Sequence, residues 1–502
     1  MLKRDLFFLL LISTFIRCLV AFLIPLGNDE VYYLLYARFP DLHYYDHPLL
    51  IGWAVKFFTA NLYFQEPFFY RLPGIILSIP ATFFVYQTAK CIQGQRAAWI
   101  AACLFTASFY VSIICGVFIM PDSVQLVFWT GALYIASLIF FKHDLSESKQ
   151  LSLLLWFGFI VGFGMLAKYH SVFLWVGLFV FVLLKKRHFL LKWQFWMSIF
   201  ITMLFLTPMI YWNYVNEWVG FNFYSGRVGV ESRIRYDLFV KEFVGEILYQ
   251  NPVVWIFVFL FAIIHGAKIS RSNARIFLLC MALPLILFLW SLSLFRETLP
   301  HWSGPAYIPL IILASIVFAE NFSYAVSSRW IVYSFSLISI VLVMGYVLIN
   351  FYPGTIGSQK TKLNYGSGDF TLDMYGWKET GTEIGEYLKM NKLDKLPVVS
   401  PNWFPAAHLD EYVTRKTSNP LFGVGTIAQM HHYQWVNKKR GGIPRADSML
   451  YIVPSNYYKD PVMLFDKNFK KINLIGEISE HRSGKLTRYF FIYLLSDSIK
   501  SF

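Results

Sequence analysis

Of 502 residues, 57% are hydrophobic and only 15% are Asp, Glu, Lys or Arg, against roughly 25% charged in a soluble domain. That balance excludes a water-soluble globular protein, and repeated apolar runs of about 18 to 20 residues predict a polytopic membrane protein. The net charge of +14 comes with no basic stripe or nucleic-acid motif. It reads as topogenic Lys and Arg and attraction to anionic lipid, so no nucleic-acid partner is expected.

The first apolar run, Leu6 to Leu26, follows a basic start at Lys3 and Arg4. It lacks a small-residue cleavage site, which predicts an uncleaved first span. Eleven spans are expected, roughly at 6–26, 72–89, 97–117, 123–141, 151–167, 171–184, 193–213, 248–265, 276–295, 302–320 and 330–350. If the N-terminus is inside, the inner gaps are Met1–Asp5, Lys90–Arg96, Lys142–Gln150, Lys185–Lys192, Gly266–Arg275 and Asn321–Arg329. These gaps are rich in Lys and Arg and poor in acids, which satisfies the positive-inside rule. The cysteines, Cys18, Cys91, Cys103, Cys115 and Cys280, all lie in apolar runs and read as packing residues.

Two outer gaps are long. The first, Gly27 to Arg71, contains NDEVYYLLYARFPDLHYYDHPLL (Asn28–Leu50), with two short stretches, Val31–Phe39 and Leu50–Phe58, expected to lie as helices in the interface. The second, Tyr214 to Ile247, carries Arg227, Arg233 and Arg235. After Asn350 no run is long enough to span. Pro353 and Gly366–Gly368 predict a linker, Thr380–Met390 a helix, and Pro397–Ser400, Met449–Val453 and Arg488–Leu494 strands. The expected organisation is a membrane domain over 1–350 and a small extracytoplasmic α/β domain over 351–502.

Alternation of the gaps puts Asp29, Glu30, Asp46, His47, Asp122, Lys168, Arg227, Arg296 and His301 at outer ends of spans. Acids beside a span are unusual unless they serve a purpose. Each group has a structural and a functional reading. Asp29-Glu30 either ends the first span or supplies a general base, with Arg17 as a candidate partner. Asp46-His47 before Pro48 either caps the next helix or contacts a phosphate or metal. Asp122 in Met120-Pro121-Asp122 stands where an N-cap would. Lys168 either snorkels from a polar turn or holds a lipid-linked phosphate. Arg296 and His301 in FRETLPHWSGPAY present the same choice, and Arg227 either serves the phosphate or is loop charge. No Walker loop, dinucleotide fingerprint, zinc-protease helix or nucleophile elbow is present, so a group transfer would draw on a donor already in the membrane.

Seven segments carry a family resemblance: NDEVYY (Asn28–Tyr33), YDHPLL (Tyr45–Leu50), RLPG (Arg71–Gly74), MPD (Met120–Asp122), GFGMLAKYHSVFL (Gly162–Leu174), TPMIYWNYVNEWVGFNF (Thr207–Phe223) and LPHWSGPAY (Leu299–Tyr307). In this order they resemble the bacterial dolichyl-phosphate-mannose-type glycosyltransferases of the GT-C superfamily. Relatives of that family are protein O-mannosyltransferases and the aminoarabinose transferase that modifies lipid A. DMYGW (Asp373–Trp377) is the one family-like motif in the tail.

The resemblance implies a GT-C fold, a polyprenyl-phosphate-linked sugar donor, and inverting transfer outside the cytoplasm to a lipid, glycan or protein acceptor. Asp29 matches the first-loop acid expected as base, with Glu30 beside it. Asp122 matches the second acid. Asp46-His47 occupies the place where the aminoarabinose transferase has Glu-Lys, whose acid contacts a metal and whose Lys contacts donor phosphate. Here His47 replaces that Lys, and Leu49 stands where a second proline is usual. Lys168, Arg296, His47, His301 and Arg227 are thus the candidate phosphate contacts. A divalent metal, if one takes part, would have Asp46 and His301 as its expected contacts.

The expected location is the bacterial inner membrane, with the site and tail on the periplasmic side. The rivals are a lipid-linked-sugar transporter or flippase and a non-catalytic sugar-lipid binding protein. A transporter should show repeated halves with broken spans at matching positions, which the sequence lacks.

Overall fold

The computed structural model describes residues 2–228, 233–266, 272–359 and 361–500. The chain packs as two units, Met1–Phe22 with Asp41–Val341, and Leu23–Pro40 with Leu342–Phe502. The later break falls near the expected boundary at 350. The earlier segment was not expected to part from the membrane domain.

In the first unit and its last helix, eight helices among the described residues are long and apolar enough to cross a membrane: Arg4–Leu23, Leu72–Gln93, Pro121–Phe141, Glu147–Ala167, Trp193–Val215, Asn273–Ser293, Pro300–Asn321 and Tyr324–Phe351. A ninth is reached if Tyr236–Tyr249 and Pro252–His265, bent by 101°, count as one. The eleven apolar runs therefore do not map one to one onto full-length helices. The run at 97–117 is a helix, Gln95–Ala107, followed by a π-helical turn, Tyr110–Cys115. The run at 171–184 is part of a shorter apolar helix, Tyr169–Lys185. The bend before Pro252 has a local cause. Asn251 sits at φ 69°, where its side chain accepts from Val253 N at 3.1 Å and donates to the carbonyls of Ala107 and Ser334 at 2.9 and 3.0 Å. Proline then supplies no N–H to continue the preceding helix.

Pro300–Asn321 is the central helix, 89% buried over its apolar window. It packs against Gln95–Ala107, whose run of alanines permits close backbone approach. The first span is only 28% buried by the same measure, which leaves its large apolar residues for lipid. Leu50–Phe58 leaves Trp53 and Phe57 exposed, as an interfacial helix would.

The second unit is built on a five-stranded sheet in the order β2-β1-β3-β5-β4. The strands are β1 (Val398–Ser400), β2 (Leu421–Gly423), β3 (Ser448–Pro454), β4 (Phe469–Arg482) and β5 (Lys485–Ser498). β1 runs parallel to β2 and β3, while β5 is antiparallel to β3 and β4. Ser483 and Gly484, both at positive φ, make the two-residue turn of the β4–β5 hairpin.

The stretch expected as a linker is fixed to this sheet. Arg482, fully buried, donates to the carbonyls of Ile349, Tyr352 and Gly354 at 2.8, 2.7 and 2.7 Å. Helix Asn28–Arg38 also belongs to this unit. Its residues Glu30 to Ala37 are buried, so it is not the interfacial helix that its sequence suggested. Tyr32 packs tilted against Trp403, ring centroids 4.8 Å apart, and accepts from His432 N at 3.1 Å, and Arg38 pairs with Glu411.

Candidate active site

In the first unit, Met120 is extended and Pro121 begins helix Pro121–Phe141, where a missing N–H costs nothing. Asp122 is the second residue of that helix, not its N-cap, and is 1% exposed. Helix Glu147–Ala167 stops at Lys168, whose backbone is extended (φ −158°, ψ 132°), before the chain resumes as Tyr169–Ser171 and Val172–Lys185. That break turns Lys168 inward. Its Nζ lies 2.8 and 2.7 Å from the two oxygens of Asp122. Tyr110, in the π-helical turn, donates to Asp122 Oδ1 at 3.0 Å. Gly304 of LPHWSGPAY makes room for Tyr110, since a Cβ there would meet the ring at 2.5 Å. Asp122 therefore acts as the counter-ion that fixes Lys168. Asp122, which the resemblance gives as the second acid, is thus a buried ion-pair partner of Lys168.

A cavity of about 400 Å³ opens beside Lys168. Its walls are apolar: Met165, Val172, Phe173, Met209, Phe288, Leu289 and Leu292. Its polar end holds His47, Lys168, His170 and Asn213. Both oxygens of Asp122 lie within hydrogen-bond distance of the Lys168 ammonium. His301 and His170 are close enough to act on the charge of Asp122. His301 packs beside Tyr249 at 5.9 Å, and His170 beside Trp302 at 5.7 Å.

The loop bearing His301 is held by two buried acids that the sequence reading did not single out. Thr298 donates to Glu242 at 2.7 Å, and Tyr307 and Trp290 both donate to Glu246 at 2.9 Å. Arg296 is half-buried in the turn after Ser293 and does not line the cavity. The side chain of Arg227 lies outside the described residues.

Asp46 is buried, and its carbonyl accepts from the Tyr224 hydroxyl. Tyr44 N donates to the His47 carbonyl at 3.0 Å, which closes the turn that brings His47 to the cavity. Beneath it, His43 bonds the Tyr169 hydroxyl, and burial pushes its imidazole down to about 3, with the charge of Asp46 opposing. Among the described residues no three His, Cys, Asp or Glu side chains are gathered to hold a metal ion.

Asp29 and Glu30 lie in the second unit, at the start of helix Asn28–Arg38. Glu30 is buried, and its Oε2 accepts from Gly27 N at 2.9 Å, which closes the first turn. Asp29 is exposed. Arg17, the candidate partner for this pair, donates to Ser78 Oγ at 2.9 Å in the first unit. The sequence reading also passed over Asn28. His408 Nε2 bonds its Oδ1 at 2.9 Å, and its amide donates to Asp373. Burial pushes the Asp373 carboxyl up, while the donors Asn28 and Tyr457 act against that. Burial holds His408 neutral, well below its ordinary value.

Residues 46–212 match the family of dolichyl-phosphate-mannose-protein mannosyltransferases. The lipid A galacturonosyltransferase RgtD of Rhizobium johnstonii is 23% identical over 294 residues. That match covers 57% of this chain, and the chain spans 59% of the length of that curated relative. ArnT from Cupriavidus metallidurans superposes with a TM-score of 0.67 in its apo state and 0.65 bound to undecaprenyl phosphate, at 12% identity. Each superposition covers at least 97% of both chains. The Archaeoglobus fulgidus oligosaccharyltransferase superposes at 0.52 and 13% identity over 97% of this chain and 74% of its own.

The chain is thus a multi-pass membrane protein with the GT-C fold and a C-terminal sheet domain. Over residues 46–212 it is similar to the dolichyl-phosphate-mannose-protein mannosyltransferases.

Proposed function

We propose that this protein is an inverting glycosyltransferase. It moves a sugar from a polyprenyl-phosphate donor to an acceptor hydroxyl of lipid A or a related envelope glycan, with a protein hydroxyl as the less favoured acceptor. The observation that carries this reading is the first-unit cavity, with an apolar wall at one side and a buried, oriented Lys168 at its polar end. An isoprenoid chain needs the first, and a departing phosphate needs the second. RgtD and ArnT, one named for lipid A and one solved with undecaprenyl phosphate, support the same pairing of donor and acceptor.

In the proposed step, Asp29 takes the proton of the acceptor hydroxyl. The hydroxyl oxygen attacks the anomeric carbon from the side opposite phosphate. The bond from that carbon to the phosphate oxygen breaks, and polyprenyl phosphate leaves as an anion. Lys168 meets the charge that develops on it, with His47 and His170 as further polar contacts at that end of the cavity. Arg296, His301 and Arg227 are secondary candidates for the phosphate. No step is assigned to a metal. We place the reaction on the outer face of a bacterial inner membrane, which the Lys and Arg distribution supports.

The test is mass spectrometry for free polyprenyl phosphate and glycosylated acceptor. Purified protein is incubated with polyprenyl-phosphate sugars, a uronic acid donor first, and with lipid A, glycan and hydroxyl-peptide acceptors. Release of polyprenyl phosphate together with a mass-shifted acceptor is the expected result. Donor binding or translocation with no release would replace this reading with a carrier or transporter.

A further inference from the structure

The helix that carries Asp29 is part of the C-terminal unit, and the contacts at its first residue are specific in both directions. Asn28 has an amide with one accepting and one donating end. The accepting Oδ1 receives His408 Nε2–H at 2.9 Å. The donating end serves the Asp373 carboxylate, which also receives the Tyr457 hydroxyl at 3.0 Å. The two partners are themselves fixed. The ring of Trp377 stacks on His408 at 4.2 Å with an interplanar angle of 11°. The guanidinium of Arg488 lies over Trp377 at 4.5 Å, donates to the carbonyls of Leu372 and Tyr375 at 2.9 and 2.7 Å, and pairs with Glu480 at 3.0 Å. The loop Asp373–Trp377, the one family-like motif in the tail, is thereby clamped on both sides of Asp373. An amide hydrogen-bonded at both ends leaves its backbone little freedom, and the next residue is Asp29.

We propose that Asp373 and His408 are positioning residues of the transfer reaction: they act through Asn28 as a latch by which the C-terminal unit sets the placement of Asp29. The proposal rests on Asp29 being the base. It gives the C-terminal unit a catalytic duty that its sheet alone does not suggest. The latch recognises an amide and rejects its isostere. Aspartate at position 28 would face the Asp373 carboxylate, and a ring without N–H at position 408 would leave the half-buried Oδ1 of Asn28 without its donor.

The experiment measures kcat and donor KM, per folded molecule in lipid nanodiscs, for Asn28→Asp, His408→Phe, His408→Gln and the swap Asn28→Asp with Asp373→Asn. Asp29→Asn is run beside them. Misplacement of a catalytic group by about 1 Å costs on the order of a hundredfold. Asn28→Asp and His408→Phe should therefore lower kcat about tenfold to a hundredfold, with donor KM within about twofold because the donor cavity is untouched. His408→Gln, which keeps an N–H, and the swap, which exchanges donor for acceptor, should each recover most of the loss. A structural role alone would lower the thermal midpoint while leaving kcat per folded molecule unchanged, and would overturn the latch. Wild-type kcat in Asn28→Asp and His408→Phe beside an inactive Asp29→Asn overturns the latch and spares the base. Turnover retained in Asp29→Asn overturns both.

Discussion

Asp122 and Asp29 occupy the same local position, the second residue of a helix, in two different units. At that position the helix dipole favours a carboxylate in either case. Their surroundings differ. Asp122 is 1% exposed, both of its oxygens accept from Lys168, and Oδ1 also accepts from Tyr110. Asp29 is exposed, next to an asparagine held from both sides. One acid pairs with a buried cation and the other is exposed. The difference comes from what each unit packs around the helix end, not from the acid or its place in the helix.

The largest effect expected from this contrast is at Asp29. General-base catalysis contributes about 10² to 10⁴ in rate, so Asp29→Asn should lower kcat by that order and leave expression and thermal midpoint unchanged. Glu30→Gln should behave in the opposite way, with a modest stability loss from the weakened first turn and little change in kcat. Near-wild-type turnover in Asp29→Asn would erase the distinction between the two acids.

At the other acid the expected signature is mixed. Removing one partner of a buried ion pair costs about 3 to 5 kcal/mol because the remaining charge is stranded. Lys168→Gln should therefore lower the thermal midpoint and also cut kcat/KM by about 10² to 10³, the loss typical of one oriented donor on a developing anion. Asp122→Asn in the same chain should restore the midpoint and leave activity lost. Recovery of activity in the double variant would show that Lys168 serves the fold alone.

Several elements were legible in the sequence because their signals are local. The helix expected over Thr380–Met390 is Trp377–Met390, and the strands expected near 397–400, 449–453 and 488–494 are β1, β3 and β5. Periodicity and bounding turns carry such elements. The full extents of β4 and β5, and the short β2, escaped because pairing partners stabilise them. Apolar runs did not reveal helix lengths, since a run does not show a bend such as the one at Asn251-Pro252. The candidate residues Asp122 and Lys168 were legible one by one from motif and topology. Their pairing was not, because 46 residues separate them and only helix packing brings them together. Least legible was the membership of Leu23–Pro40 in the C-terminal unit, since nothing in NDEVYY points to His408 or Asp373.

The two units also share a vulnerability that sharpens the comparison. His43 in the first and His408 in the second are both held neutral by burial, His43 at about 3 and His408 well below its ordinary value. Below about pH 6.5 the unfolded chain takes up these protons and the folded chain does not, so stability rises with pH and is lost on acidification. Each such group costs about 1.4 kcal/mol per pH unit below that point until its folded value is reached. The thermal midpoint should fall between pH 7 and pH 5. His43→Phe should flatten that fall at the cost of the Tyr169 contact. An unchanged midpoint across this range would mean that neither histidine is held neutral in the membrane-embedded protein.

The smallest effect is expected from chelation. The two donors assigned to a metal, Asp46 and His301, belong to no three-ligand group among the described residues. Lys168, oriented by Asp122, already offers a cation at the polar end of the cavity. One lysine N–H on a departing phosphate supplies stabilisation of the kind that a divalent ion would otherwise provide. EDTA should therefore change the transfer rate by less than about twofold at saturating donor, since the oriented cation remains. Loss of transfer on chelation, restored by one divalent cation and not by others, would return Asp46 to the reaction as a metal contact. It would also shift the charge balance of the first unit from Lys168 to the ion.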